Sequence, residues 1–564
     1  MHRIVKAHLD SYVRDNGLEA EDESSQFEKF VTHAVVSSRF SGSYEIDDLV
    51  TGEADDGIDG IAVVIDEEII ISAEDANSIF ATQKRNHDVD IIFTQAKRTE
   101  GFDLGDFLKF KEAILRFITQ NPYTSQDAVL QDTRSIFEVV LREVPKIRNG
   151  KPSLTARFVT TGIYQKPAAL ETALRDFSDQ LAELGLFAEA DIKFVGRDEL
   201  TTLWVGTYSG IDASLELYSN APLPKIAGID EAYLAVVKAS DFVENLLLSS
   251  DGNLRTQVFE ENVRSFLGLE NPVNASICAT IRAGEGASRF PVLNNGITIA
   301  SPDVRLQGNT LHLKNFQIVN GCQTSNVLFE SRHHLGGIMV NVKVVETNNE
   351  DVFSELVRAT NSQTKVEDNQ FFSLRPVTKR IEQYFNSFSS EGKIYFERRD
   401  RQYVGQGIPA LRIFSLQNAA KCVAAMFLNR PELSLRYPKT MYDELGDILF
   451  AENTKEVVFY AACLAYYRLS LLISNSTIPQ NMKRFKWHML ALVRASISGK
   501  DAINISSRAA EKSSEEIIRI MAQHGPAATD LFSKIVDICR ALGEVSPDRL
   551  KRQLILQEML GQIP

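Results

Sequence analysis

The chain has 564 residues, of which 44% are hydrophobic and 24% charged, and a formal net charge of -14. At about one folding unit per 150 residues it should hold three or four, with too much apolar content to stay disordered. The acidic balance excludes a protein that coats nucleic acid through its overall field, so any phosphate contact must be local. The five cysteines, Cys278, Cys322, Cys422, Cys463 and Cys539, form no CxxC pair and lack zinc-finger spacing to any histidine. They indicate neither a disulfide framework nor structural zinc, and read as reduced thiols in a cytoplasm. Residues 1–10 carry charges without an apolar core, and the apolar run 456–473 is broken, so no signal peptide or membrane span is expected.

In chain order, residues 24–38 (SSQFEKFVTHAVVSS) put Phe27, Phe30, Val31 and Ala34 on one helical stripe, with Ser24 or Ser25 as N-cap. GIDGIAVVID and EEIIIS read as adjacent strands and DVDIIFTQAKR as a third. Residues 104–119 return to helical period, LTARFVTTGIY reads as a strand, residues 168–184 as a helix, and DIKFVGRDELTTLW as a strand leading into a helix. This order predicts an α/β fold, one mixed sheet flanked by helices. The stretch 218–229, with Pro222, Pro224 and Gly228, reads as a linker that sets the main boundary. Short strand-like segments follow over 276–345, and helical periodicity dominates after Val352. The expected units are 1–217, an α+β unit over 230–400, and a mainly helical unit over 401–564.

Gln95 and Lys97 lie two apart in the third strand, so both side chains emerge on one face. Asp59, in the turn before the first strand, can stand beside them. A carboxylate, an amide oxygen and the Ala96 carbonyl are hard oxygen ligands suited to Mg²⁺, with Mn²⁺ as a substitute. A lysine beside such an ion can orient or help deprotonate water, which is the minimum for cutting a phosphodiester. Asp55 and Asp56 read as a solvated turn, and His87 as an exposed loop residue without a role.

DGIDGIAVVID followed by a strand ending in QAK resembles the PD-(D/E)xK restriction-endonuclease-like superfamily in its Mrr-like QxK form. The resemblance implies that Asp59 is the first metal ligand, that Gln95 replaces the usual Glu, and that Lys97 is the catalytic lysine. It also implies that Glu28, on the opening helix, is the acidic residue many members supply from there. The departure is Gln95, a neutral ligand that weakens the hold on an ion and gives Glu28 more weight.

In the second half, FEENVRSFLG, FPVLNNGITIA, LKNFQIVNGCQTSNVLFE and RATNSQTKV occur in that order. They resemble the AIPR family, the abortive infection phage resistance proteins, and imply defence against foreign DNA, with a nuclease-like domain ahead of this region. Asn294, Asn295 and Gly296, then Asn320, Gly321 and Gln323, put short polar side chains beside glycines at strand ends, where backbone N–H groups and amides can meet a phosphate or base edge. Arg264, Asn361 and Gln363 could join them. Asn295, Asn320 and Gln323 are the candidate nucleotide pocket, with hairpin turns as the plain alternative. The layout is also similar to ParB-like nucleotide-binding modules. Cys322 reads as a small core residue.

Basic clusters occur at Arg142, Lys146, Arg148, Lys151 and Arg157, at residues 483–488 with Phe485 and Trp487 interleaved, and at residues 549–552. The first is the favoured phosphate track, since it falls inside the nuclease-like unit. The resulting expectation is a Mg²⁺-dependent endonuclease of DNA in bacterial defence, cytoplasmic and off the membrane, with the second half sensing a nucleotide trigger or partner protein. Double-strand cutting favours a homodimer. The alternatives are an RNA-cleaving effector and a catalytically inactive binding or regulatory protein.

Overall fold

The computed structural model describes residues 1–40, 44–52, 57–66, 68–82, 86–208, 211–248, 254–259, 269, 271–361, 372–373, 375–388, 393–398, 402–403, 408–435, 438–522, 526–543, 545 and 547–563. Asp55, Asp56, Arg264, Gln363 and most of FEENVRSFLG lie outside these residues, as does the Asn361 side chain.

The first sheet has the order β2-β1-β3-β4-β5, built from β1 (Gly60–Ile65), β2 (Glu68–Ile70), β3 (Val89–Lys97), β4 (Ser153–Thr160) and β5 (Ala190–Val195). β1 runs antiparallel to β2 and β3, while β3, β4 and β5 are mutually parallel. Such a buried strand reads as a continuous apolar run, as IIF in β3 does. On one face pack α1 (Arg3–Asn16), α2 (Glu23–Ser37) and, near Trp204, α7 (Arg197–Tyr208), joined through Tyr12, Phe27, Phe30 and Ala96. On the other face α3 (Ala73–Phe80), α4 (Leu104–Thr119), α5 (Ala128–Arg142) and α6 (Ala168–Leu184) enclose a phenylalanine-rich core of Phe93, Phe107, Phe117, Phe137, Phe158 and Phe177.

α4 and α6 occupy the spans their periodicity predicts, and α2 begins one residue early because Asp22, not Ser24 or Ser25, is its cap. The Asp22 carboxylate accepts from both Ser24 N–H and Ser25 N–H, two orphan donors that a single hydroxyl would meet less well. His87 is also not an exposed loop residue: it is 1% exposed, with Nδ1 2.8 Å from Asp66 Oδ2.

The second sheet has seven strands in the order β11-β8-β12-β7-β6-β10-β9. They are β6 (Ala213–Pro222), β7 (Glu231–Lys238), β8 (Ile297–Ser301), β9 (Asp303–Gln307), β10 (Thr310–Lys314), β11 (Gln317–Asn320) and β12 (Met339–Glu346), antiparallel except for the β8–β12 pair. The expected linker 218–229 is therefore not a free connection. Its first half is strand β6, paired from Leu217↔Val237 to Pro222↔Tyr233, and the rest is the turn into β7, so the change of sheet falls between α7 and Ala213. Within 276–345 the structure also differs from a run of strands. Pro272–Ile281 and Cys322–Glu330 are helices, so VNGCQT straddles a strand-to-helix junction.

The remainder is mainly helical, around Leu416–Met426, Glu456–Ser474 and Lys486–Ser498. Glu456–Ser474 is long and apolar enough to cross a membrane by length and composition, and most of it lies buried among its neighbours. The five cysteines are buried thiols outside any disulfide.

The helical part meets the first unit along a charged seam. Lys486 Nζ is 2.9 Å from Glu45 Oε1, Tyr466 donates its hydroxyl to the same oxygen at 2.9 Å, and Lys483 pairs with Asp47. Asp47 also holds Lys29 of α2 at 2.6 Å. The 483–488 cluster is thus no phosphate track: its lysines are committed to these carboxylates, and Phe485, Trp487 and His488 are buried. Burial opposes the Glu45 carboxylate, but Lys486, Lys483 and the Tyr466 hydroxyl outweigh it and bring its pKa down to about 2.

Candidate functional site

Asp59 sits where the chain enters β1, and its N–H donates to the Thr94 carbonyl at 3.0 Å, which fixes it beside the end of β3. Its Oδ2 accepts from Gln95 Nε2 at 2.7 Å and from Ala96 N–H at 2.7 Å. Gln95 is 2% exposed and Lys97 half-buried at the strand end. The first three expected residues are therefore brought together at one end of the sheet.

Glu28 reaches the same end from α2. That helix lies tight on the sheet because Gly60 has no Cβ: one added there would collide with the Thr32 and Thr94 hydroxyls, which are 2.8 Å apart. Thr32 is one turn beyond Glu28, so this contact sets where the glutamate stands. Glu28 accepts from Ser24 Oγ at 3.1 Å, and burial raises its pKa against the pull of Lys97 and Arg98. Burial, opposed by the Ala96 N–H and reinforced by the Glu28 charge, pushes Asp59 up to about 7. Asp59 keeps some surface open by area although protein atoms ring its carboxylate. Two carboxylates crowded this way favour a neighbouring cation.

Among the described residues no three His, Cys, Asp or Glu side chains converge as a metal site. The donor set at this end is the Asp59 and Glu28 carboxylates, the Gln95 amide oxygen and the Ala96 carbonyl. These are hard oxygens of the kind Mg²⁺ takes, with Lys97 as the adjacent cation. Arg98 was missed in the sequence although it follows QAK directly. It lies 3.6 Å from Glu23 and its charge acts on Glu28.

The favoured phosphate track lies elsewhere. Parallel pairing runs from Asp90↔Ser153 to Lys97↔Thr160, so the segment before β4 is at the opposite end from the segment after β3, a strand length of about 23 Å away. Lys146 is bound to Glu143 at 2.7 Å and to the Phe80 carbonyl, Arg148 to Asp88 at 2.6 Å, and the buried Arg157 to Asp191 at 2.6 Å. Arg142 and Lys151 are exposed beside them, remote from Asp59.

The second sheet carries a cleft of about 1200 Å³ whose lining includes Asn294, Asn295, Gly296, Asn320, Gly321 and Gln323. The structure thus gathers the three candidate nucleotide-pocket amides around one space. The helix following β11 starts on Gly321, at φ 94° and without a side-chain cap. Cys322, 6% exposed, packs below it as expected.

Residues 259–532 match the family model described as AIPR protein. The AIPR match covers just under half of the chain. It runs from the end of the described segment 254–259 through the cleft and far into the helical part, beyond the 230–400 unit expected from the motifs. No curated protein and no solved structure matches the chain.

Proposed function

We propose that the chain is a metal-dependent endonuclease acting on DNA in anti-phage defence of the abortive-infection kind, and that it works in the cytoplasm. The observation that carries the catalytic half is the Asp59 carboxylate, held at 2.7 Å from Gln95, with the Glu28 carboxyl close enough to act on it and Lys97 two residues beyond Gln95. The AIPR match supports the defence half.

In this reading Asp59, Glu28, the Gln95 amide oxygen and the Ala96 carbonyl hold Mg²⁺ or Mn²⁺. When bound, the ion polarises a phosphoryl oxygen and lowers the pKa of water. Lys97 Nζ offsets the charge that develops on the phosphoryl oxygens and orients the attacking water. The Ala96 N–H and the Gln95 amide keep the Asp59 carboxylate in one orientation before substrate arrives, which saves reorganisation during the reaction. Arg98, directly after Lys97 and close enough for its charge to act on Glu28, would meet a substrate phosphate.

The test is cleavage of supercoiled plasmid, linear duplex and single-stranded RNA by the purified full chain with Mg²⁺, Mn²⁺ or EDTA. Plasmid nicking or linearisation that EDTA stops is the expected result. Cutting of RNA alone would replace the substrate class. A second reading, a catalytically inactive regulatory protein, is favoured by one observation: Gln95 spends its amide N–H on Asp59 where a third acidic ligand would otherwise stand. Absence of metal-dependent cleavage of all three substrates establishes that reading over the first.

Gln95→Glu separates ligand from scaffold. It replaces a donor at 2.7 Å with a third carboxylate, so the metal-free protein should lose about 1–3 kcal/mol. The melting temperature should then rise more steeply with Mg²⁺ than that of the wild type. Equal Mg²⁺ response in the two proteins would remove residue 95 from the ligand set.

A further inference from the structure

The cleft in the second sheet has a chemistry that the AIPR match leaves unassigned. The cross-strand register sets Leu234, Lys343, Thr298 and Asn320 directly opposite one another on β7, β12, β8 and β11. They form a row of about 14 Å along one wall, at some 4.8 Å per strand. Lys343 was not apparent in the sequence, because only the pairing shows that it shares this wall with Asn320.

The floor is set by two glycines. A Cβ at Gly296 would come within 2.8 Å of the Asn341 carbonyl oxygen, and one at Gly321 within 2.9 Å of Ile297 Cγ1. Both residues have positive φ, 79° and 94°, so glycine is needed at Gly296 for the chain to enter β8 against Asn341 of β12, and at Gly321 for the start of the Cys322–Glu330 helix to close on Ile297. Gln323 stands in the first turn of that helix. The fully buried Asn274 donates Nδ2 to Gln323 Oε1 at 2.8 Å, which fixes the amide with its NH₂ end directed away from Asn274.

Two features of the lining point to the ligand. Among the described lining residues there is no Asp or Glu and Lys343 is the one cation, in a chain with 75 acidic residues. At the rim, Leu234, Val273 and Leu293 leave 46%, 62% and 66% of their surface open. An acid-free hollow with a lysine and a helix start suits an anion. An aliphatic rim beside a row of amides suits a flat heterocycle with donors and acceptors on its edge.

We propose that this cleft binds a nucleoside phosphate, its phosphate lodged between Lys343, Asn320 and the start of the Cys322–Glu330 helix and its base against Leu234, Val273 and Leu293, read by Asn295. The same chemistry is offered by a free nucleotide and by the phosphorylated end of a nucleic-acid strand.

The experiment is calorimetric titration of the full chain, without divalent metal. The probes are the four ribonucleoside triphosphates, their monophosphates, inorganic phosphate and a short 5′-phosphorylated single-stranded DNA. At least one nucleotide or the phosphorylated strand should bind with one site per chain, and inorganic phosphate at least tenfold more weakly. Binding by the strand but by no free nucleotide makes a strand end the source, and the reverse makes it a free nucleotide. Lys343→Ala and Asn320→Ala should each weaken binding about tenfold or more at unchanged melting temperature, whereas Lys97→Ala should leave it intact. No binding of any probe at millimolar concentration, binding that survives both cleft substitutions, or phosphate binding as tight as that of every nucleotide would overturn the proposal. Cleavage is not read at any point, so this result stands or falls separately from the nuclease reading.

Discussion

Asp59→Asn is expected to abolish cleavage and at the same time to raise the melting temperature at pH 8. The two effects have one cause. Burial and the Glu28 charge raise the Asp59 pKa to about 7 from an ordinary 3.8. For a carboxyl shifted upward, stability is present below the ordinary value and is lost as pH rises through the folded one. At pH 8 the folded protein therefore holds a carboxylate at a cost, which an amide relieves while still accepting from Ala96 N–H. Removing the negative ligand, or the ammonium through Lys97→Ala, should reduce the rate on the order of 10²–10³-fold or more. Cleavage time courses and thermal melts at pH 5 and pH 8 check both parts. Asp59→Asn with wild-type cleavage ends the assignment; lost cleavage accompanied by a lower melting temperature at pH 8 would make Asp59 a structural residue instead.

Glu45→Gln should destabilise the protein while leaving every core side chain in place. The amide keeps the volume of the acid and can still accept from the Tyr466 hydroxyl, but it strands Lys486, a half-buried lysine that Glu45 holds above the usual range against the opposing effect of burial. Glu45 leaves 33% and Lys486 14% of its side chain open, so breaking the pair should cost about 1–2 kcal/mol, between an exposed pair and a buried one. Lys486→Met added to Glu45→Gln should recover much of that loss, since the double variant buries no unpaired charge on this line. Because Glu45 has its pKa depressed to about 2 from 4.5, its contribution is full above the ordinary value and drains away as pH falls toward 2. Chemical denaturation at pH 7 and pH 3 should show the gap between wild type and Glu45→Gln narrowing at pH 3. A gap that is absent at pH 7, or that widens on acidification, contradicts the pairing.

The parts legible in the sequence were those governed by local period and by neighbours a few residues away. α4 and α6 have apolar stripes that fix their limits, and QAK needs only strand alternation to place Gln95 and Lys97 together. α1 and α5 escaped although their stripes exist, because Val5, Leu9 and Tyr12 are set among charges and Leu130, Phe137 and Val140 among polar residues. What could not be read was whatever depends on pairing across the fold. The cluster from Arg142 to Lys151 lies near QAK in sequence, yet parallel pairing of β3 with β4 carries it to the far end. Lys483 and Lys486 look like a basic patch until Glu45 and Asp47 are found against them. For the cleft, the glycine-flanked amides were visible as a pattern, whereas Lys343 and Thr298 joined them only through the β8–β12 register.

The charged seam also has a bearing on biosynthesis. Glu45 and Tyr466 are 421 residues apart, and at about 5–20 residues per second a ribosome takes roughly 20–80 s to cover that distance. For that time the first unit can complete its own sheet while the side that the helical part will cover faces water. Until then Glu45 lacks its lysine partner, and Asp47 is held by Lys29 of its own unit. Only when Lys483 and Lys486 emerge can the seam close, so the join between the early and late parts of the chain waits until synthesis is nearly finished.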